Sequence, residues 1–518
     1  MNGRLTGWDR AAWCLIATHV VLLLSHWPAL PFFVDIYYHL NVLSGFREAG
    51  GIVLHDVWEF APAGRPHLYP PALHVALLGL DWLHLAPITL ARLATVLPYP
   101  ALLLCGWWFA REWLGSSAAY WTTVCALTPF SYLLVACNTV AASWALVLWL
   151  LGLIAVRRQA LTAFILSSAL VFYTHLGTPW LMVCSWLLLA RCHRPSRKVL
   201  GVGSAVTSVL ALPWLLHLAV HHRAFGPMST MENAYPELPL LLYGLAAWGA
   251  MRGWRTLRPE ARCASFSLML SLAPLLLHYR FRFWSGQGLL GITLFAGVGL
   301  AAAAAWVERV CRERWKIAPT LIPLLMTAVL FMGNPTAFIQ AGGTFLALGD
   351  SSLTNLALGR ERVTRSNAQP FYYPQLIDPL VQFIDEQTQA DEIIGCNLPY
   401  TCGLVAALSG RAMATGMLSE VRDTAGSVQQ ALGHAQLIVW FKVPPTPGLA
   451  PLQTLRQEWH LALVRETEMA YLFRNPTAGE RRRFSRPVVP LWLAWTLLGA
   501  SVAGIAWDLS RHSAPLPV

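Results

Sequence analysis

The 518 residues are 56% hydrophobic and only 12% charged, about half the charge of an ordinary soluble domain, with a formal net charge of +11. That balance excludes a freely soluble globular protein. The Lys and Arg lie in short loops between apolar runs rather than on one face, which excludes a nucleic-acid partner.

The first apolar run, about residues 11–31, follows Arg4 and Arg10 and lacks a small-x-small cleavage site, so it reads as a retained signal-anchor. Further runs lie near 71–110, 117–135, 139–156, 160–174, 177–191, 199–219, 237–251, 263–279, 288–306 and 317–336, and a last one near 488–508. They predict an α-helical polytopic membrane protein of about 12–13 transmembrane helices, with the 24 Trp suited to the membrane–water boundary. Gly201-Val-Gly203 lies inside such a run and reads as a helix-packing feature, not a phosphate loop. Arg157-Arg158, the run Arg191 to Lys198 and the clusters Arg252 to Arg262 and Arg309 to Lys316 mark one face, expected to be cytoplasmic. Parity then requires one crossing between 70 and Arg111, although the apolar stretch there is long enough for two.

Between the last two runs lies a polar stretch of mixed periodicity. PLVQFIDEQ and CGLVAALSG read as helices, and DEIIGC, AQLIVWF and MAYLFR as strands. The expected organisation is a membrane domain over 1–339, a small extracytoplasmic α/β domain over 340–486, and a C-terminal transmembrane helix with a short tail over 487–518. Eight of the ten Cys lie in or beside apolar helices, where Cys is a small buried hydrophobe. Cys396 and Cys402, in CNLPYTC, fall in the domain expected outside, where an oxidising compartment favours a disulfide.

The loop after the first helix reads VDIYYHLNVLSGFREAGGIVLHDVWEFAPAGRPHLYPP. Asp35 follows the apolar run by a few residues, so its carboxylate sits at the external interface, where a charge is costly unless it has a task or a partner. Asp56 and Glu59 follow, with His39, His55 and His67 nearby, while Gly50-Gly51 and Pro62-x-Gly64 supply turns. This order resembles the first external loop of GT-C glycosyltransferases, oligosaccharyltransferase catalytic subunits above all. The resemblance rests on Asp35, then Tyr37, Tyr38 and His39, a Gly-containing turn, Asp56, Pro62 and Gly64, and Tyr69-Pro70-Pro71 opening the next helix. The layout of many spans followed by an external α/β domain is also similar. The WWDYG signature of true oligosaccharyltransferases is absent and a further span follows the domain, so asparagine-sequon glycosylation is not implied and the acceptor stays open.

The resemblance implies an enzyme that transfers a sugar, with inversion, from a polyprenyl phosphate or pyrophosphate to a glycan, lipid or protein acceptor. It would act at the external face of the plasma membrane, among membrane lipids. Asp35 and Asp56 are then the expected catalytic pair, either as base or as ligands of a divalent cation such as Mg or Mn. The segment His278-Tyr-Arg280-Phe-Arg282-Phe-Trp284 carries two Arg against the charge bias. Arginine forks suit phosphate oxygens, so His278, Arg280 and Arg282, with His39 and Tyr69, are the expected lipid-phosphate and substrate contacts.

Each assignment has a plainer counterpart. Asp35 could cap a helix or pair with an Arg, Asp56 could cap a turn, and Arg280 and Arg282 could snorkel to headgroups. His175 in YTHLGTP and His221-His222 read as structural contacts, and Glu232 and Glu237 as solvated loop carboxylates. A transporter or flippase for lipid-linked sugars, or a polymer-assembly subunit, is the competing function. No internal repeat of the kind common in transporters stands out.

Overall fold

The computed structural model describes residues 5–32, 34–226, 237–315, 321–340, 343–359, 372–417, 421, 427–443, 448–482 and 485–512. Helix α1 (Gly7–Ser25) opens on a capping box in which Thr6 and Asp9 satisfy each other's backbone amides. The first loop follows as α2 (Asp35–Ala49) and the short strands β1 (Gly51–Ile52), β2 (His55–Asp56) and β3 (Arg65–Pro66). The chain then forms α3 (Ala72–Asp81), α4 (Pro87–Val96), α5 (Pro98–Leu114), α6 (Ser116–Leu127), α7 (Phe130–Asn138), α8 (Val140–Arg158), α9 (Leu161–Thr174), α10 (Thr178–Cys192) and α11 (Arg197–Val220). Next come β4 (Glu237–Pro239), α12 (Leu240–Thr256), α13 (Pro259–Leu272), α14 (Leu275–His278), α15 (Arg280–Trp284), α16 (Leu289–Trp315) and α17 (Leu321–Met332). The hairpin β5 (Asn334–Gln340) and β6 (Gly343–Gly349) and the helix α18 (Ser352–Ala357) complete this part.

Among the described residues, seven helices are long and apolar enough to cross a membrane: Gly7–Ser25, Pro87–Leu114, Val140–Arg158, Arg194–Val220, Pro259–Leu277, Arg280–Glu313 and Leu491–Arg511. The α6–α7 pair, bent by 80°, makes an eighth if it is one broken span, and Pro129 at the break explains the bend. The class is the expected one, and seven or eight of the expected 12–13 spans reach that length among the described residues. Helices α3, α9, α10 and α17 hold 10, 14, 15 and 12 residues. At about 1.5 Å per residue they fall short of a hydrocarbon core of about 30 Å. In the stretch 71–110 only one helix, Pro87–Leu114, has crossing length, as parity required.

Packing is closest where glycines let backbones meet. A Cβ at Gly249 of α12 would lie 1.9 Å from the Phe295 carbonyl oxygen of α16, and one at Gly297 would lie 2.4 Å from Thr122 Oγ1 of α6. Gly203 plays the packing part expected of it, since a Cβ there would strike the Phe164 ring at 2.3 Å. One end of the bundle gathers the basic helix ends with acidic partners. Arg111 pairs with Asp9 at 3.2 Å, Arg157 with Glu260 at 3.1 Å, and Arg158 with Glu112. Arg158 also donates to the Leu509 carbonyl at 2.8 Å, which ties the last helix, Leu491–Arg511, to the same end.

Every helix and strand expected in the polar stretch is present. The strands β7 (Ile393–Cys396), β8 (Ala412–Met413), β9 (Leu437–Phe441), β10 (Ala462–Glu466) and β11 (Ala470–Arg474) form one sheet in the order β10-β11-β9-β7-β8. β7 runs parallel to β8 and β9, and β11 is antiparallel to both its neighbours. The helices Pro374–Gln387 and Pro399–Ser409 belong to this unit. Cys396 and Cys402 are disulfide-bonded, with Cα atoms 5.4 Å apart. The expected boundary at 339/340 falls inside the β5–β6 hairpin, whose strand β5 pairs with β4 beside α12. Strand β12 (Val489–Pro490), just before the last helix, pairs with β1 of the first loop.

Candidate active site

Most of the first loop is a buried helix. Gly50, at φ +74°, ends α2 in the left-handed cap that glycine adopts without strain. Helix α2 packs on Pro399–Ser409 of the sheet unit, where Asn41 Nδ2 donates to the Gly403 carbonyl at 3.2 Å. Asp35 is the first residue of α2 and half-buried, so its charge lies at the positive end of the helix macrodipole. Tyr38 and His39 follow at i+3 and i+4 and therefore share its face.

His39 Nδ1 and His74 Nε2 of α3 share a hydrogen bond of 3.0 Å. The Tyr69 ring stands 5.1 Å from His39 and 6.4 Å from His175, between α9 and α10. Burial pushes the His39 and His67 imidazoles down to about 3. His175 is likewise held at about 3 by burial, with the nearby Arg282 guanidinium adding to the effect. These imidazoles are neutral at physiological pH, so they can give and accept hydrogen bonds but make poor general bases there. His175 Nδ1 accepts from the Thr178 amide at 3.0 Å, which fixes its ring.

The two arginines of the 278–284 segment differ. Arg280 is exposed, whereas Arg282 is half-buried over the Tyr279 ring at 4.6 Å, and its Nε is buried without a hydrogen-bond partner among the described residues. The His278 side chain and Glu232 lie outside the described residues, as does the Glu237 side chain. Arg92, within the candidate span Pro87–Leu114, faces the approach to α2. It donates to the Leu30 carbonyl at 3.1 Å and lies 5.8 and 5.9 Å from the Trp27 and Tyr372 rings.

Asp56, unlike the half-buried Asp35, is almost fully buried. It lies on the β2–β3 hairpin in register with Arg65, and both side chains are almost fully buried. Gly64, at φ +69°, makes that hairpin possible, because a Cβ there would lie 2.1 Å from the Asp56 carbonyl oxygen. Arg65 pairs tightly with Glu59, approaches Asp56 at 3.6 Å and donates to the Val421 carbonyl at 3.0 Å. Glu59 accepts from the Met417 amide at 2.7 Å, and Asp56 accepts from the Glu59 amide at 3.2 Å. Burial and the Glu59 carboxylate push the Asp56 carboxyl well above its usual range, against the pull of Arg65. The three groups therefore form a sealed triad in which the Arg65 guanidinium faces both carboxyl groups.

The two carboxylates of the expected pair, Asp35 and Asp56, stand in different surroundings, one half-buried at the start of α2 and the other buried against Arg65. Both Asp56 oxygens face groups of the triad, and among the described residues no group of three or more His, Cys, Asp or Glu side chains could hold a metal ion. Sequence reasoning missed the Glu59–Arg65 pair, His74, Arg92 and the bridging place of His175. The available signal was a polar side chain at the end of an apolar helix, which leaves its partner unnamed.

No family model matches the sequence, and no curated protein matches it either. Solved structures do. The fold matches ArnT from Cupriavidus metallidurans bound to undecaprenyl phosphate over 90% of this chain and 99% of that one, at 14% identity and a TM-score of 0.51. It matches the archaeal oligosaccharyltransferase AglB from Archaeoglobus fulgidus, in complex with an inhibitory peptide and a dolichol-phosphate, over 83% of this chain and 69% of that one. There the identity is 11% and the TM-score 0.52. The Archaeoglobus fulgidus oligosaccharyltransferase in complex with Zn and sulfate is similar at 12% identity and a TM-score of 0.53, over 83% and 68% of the two chains.

Proposed function

With the GT-C fold as the frame, we propose that this protein is a membrane glycosyltransferase that moves a sugar from a polyprenyl phosphate or pyrophosphate to an acceptor, with inversion. The observation that carries this reading is the grouping of His39, Tyr69 and His175 on the face of α2 that begins with Asp35, with Arg282 beside His175. Asp35 takes the proton as the acceptor O–H or N–H bond breaks. The new bond forms at the sugar C1 while the C1–O bond to phosphate breaks, and the phosphate leaves with the electron pair. Arg282 stabilises that leaving charge, and the neutral imidazoles and Tyr69 hold the sugar hydroxyls. A divalent cation, if recruited, would be held by Asp35 and the donor phosphate rather than by Asp56. The carriers named in the ArnT and AglB structures, undecaprenyl phosphate and dolichol-phosphate, support a lipid donor.

The active site and the sheet unit are assigned to the extracytoplasmic face of the plasma membrane. The Cys396–Cys402 disulfide supports this, since such bonds persist in oxidising compartments. So does the gathering of basic helix ends at one end of the bundle. The test is turnover of polyprenyl-phosphate and polyprenyl-pyrophosphate sugars by the purified protein in nanodiscs. Release of the sugar-free carrier together with a glycosylated acceptor is expected for one donor class. Movement of the intact donor across a vesicle membrane without cleavage would replace the enzyme by a flippase.

Within this site Arg282 and Arg280 should separate. Arg282→Ala is expected to weaken donor use by about 10- to 150-fold, from a charge-assisted contact of roughly 1.5–3 kcal/mol. Arg282→Lys should restore only part of it, for want of the planar fork. Arg280→Ala, at an exposed position, should change far less. Equal donor dependence in wild type and Arg282→Ala would return the segment to headgroup snorkelling.

A further inference from the structure

Strand β6 is exposed along nearly its whole length, with Leu346 72% and Leu348 75% accessible, and its sequence Gly-Thr-Phe-Leu-Ala-Leu-Gly carries no charge. It is the edge of the sheet β4-β5-β6, so one row of its backbone groups has no strand partner among the described residues. In water such an edge is a template for aggregation, and charges or prolines normally blunt it. None do so here.

What covers it follows from its neighbour. Helix α17 exposes Leu321, Leu324, Leu325, Val329 and Met332 at helical spacing, one apolar stripe along its 12 described residues. The stripe runs into the hairpin without a break: a Cβ at Gly333, next to Met332, would lie 3.5 Å from the Leu348 Cβ. We infer that the β5–β6 hairpin is a membrane-docking element that lies on bilayer lipid, continuing the lipid-facing surface of α17. Depth is set by the open edge. Unpaired N–H and C=O groups do not enter hydrocarbon, so β6 rests at the headgroup–acyl boundary, with its leucines down and its edge toward hydrated headgroups.

The placement also bears on the neighbouring site. Strand β4 pairs with β5 and leads directly into α12, whose Tyr243 hydroxyl donates to the Trp284 carbonyl at the end of α15. A hairpin seated at the boundary thus holds Arg280 and Arg282 near the level of lipid phosphates.

The experiment places the photoreactive residue p-benzoylphenylalanine at position 346, at 348 and, on α17, at 325, each in the full-length protein. The protein is held in nanodiscs of phosphatidylethanolamine and phosphatidylglycerol and irradiated. A mass increase of one phospholipid at 346 or 348, comparable with that at 325, is the expected result. Adducts to a second copy of the chain instead of lipid, or no adduct at 346 and 348 while 325 is labelled, would overturn the inference. Failure at 325 would overturn it too, by removing the lipid-facing surface it continues. The readout involves no sugar transfer, so its outcome is separate from that of the proposed enzymatic function.

Discussion

Asp35→Asn is expected to yield a protein that inserts and packs like wild type yet transfers sugar at least about 100-fold more slowly, in line with the loss of a general base. The substitution keeps the size of the side chain and its place at the first turn of α2 but removes its charge and basicity. No nearby imidazole can substitute, because burial holds His39 and His67 at about 3. The check is turnover per folded molecule, with folding followed by gel filtration and thermal stability in detergent. Normal turnover by well-folded Asp35→Asn would sink the catalytic assignment and most of the case for a glycosyltransferase. Lowered stability with normal turnover would make Asp35 a helix-capping carboxylate.

Arg65→Ala should have the opposite signature. Removing one member of a buried ion pair leaves an uncompensated charge, at a cost of about 3–5 kcal/mol. Here it strands the Glu59 carboxylate and frees the Val421 carbonyl, so the hairpin should lose its hold on the sheet unit. Loss of monodisperse protein on mild heating is the expected measurement, against wild type and Asp56→Asn. Asp56→Asn should cost far less stability than Arg65→Ala and leave transfer nearly unchanged, because burial and the Glu59 carboxylate already disfavour the charge that the amide removes.

The pH dependence follows from the sign of the shift. A carboxyl whose folded value is raised contributes stability that is complete below its unfolded value and is lost as pH rises through the folded one. Wild type should therefore weaken as pH rises above the ordinary carboxyl range and through the raised Asp56 value, and Asp56→Asn should lack that part of the weakening. A large loss of transfer in stable Asp56→Asn would restore Asp56 to the reacting centre.

Much of the molecule was legible in one dimension. Apolar runs announce helices because a bilayer leaves the backbone no other partner. The period of two in DEIIGC, AQLIVWF and MAYLFR reports strands, and the close spacing of the two Cys in CNLPYTC fits their disulfide. Helix lengths were not legible, because hydrophobic composition does not say where α9 and α10 stop.

The order of chemical groups in the first loop also needed no structure, since Asp35, His39 and Tyr69 are close in sequence and held by local turns. Which of them work together was decided by the tertiary fold alone. Asp35 and Asp56 look equivalent in the chain. Packing then puts one at a half-buried helix start and seals the other against Arg65, with Met417 and Val421 closing the triad from more than 350 residues away. His175 reaches Tyr69, and Arg282 comes near His175, in the same way, from parts of the chain more than 100 residues away from Tyr69 or from each other. A side chain's type and its neighbours along the chain set what it can do. Burial and the charges brought to it from elsewhere set what it does, because they decide which form of the group is stable.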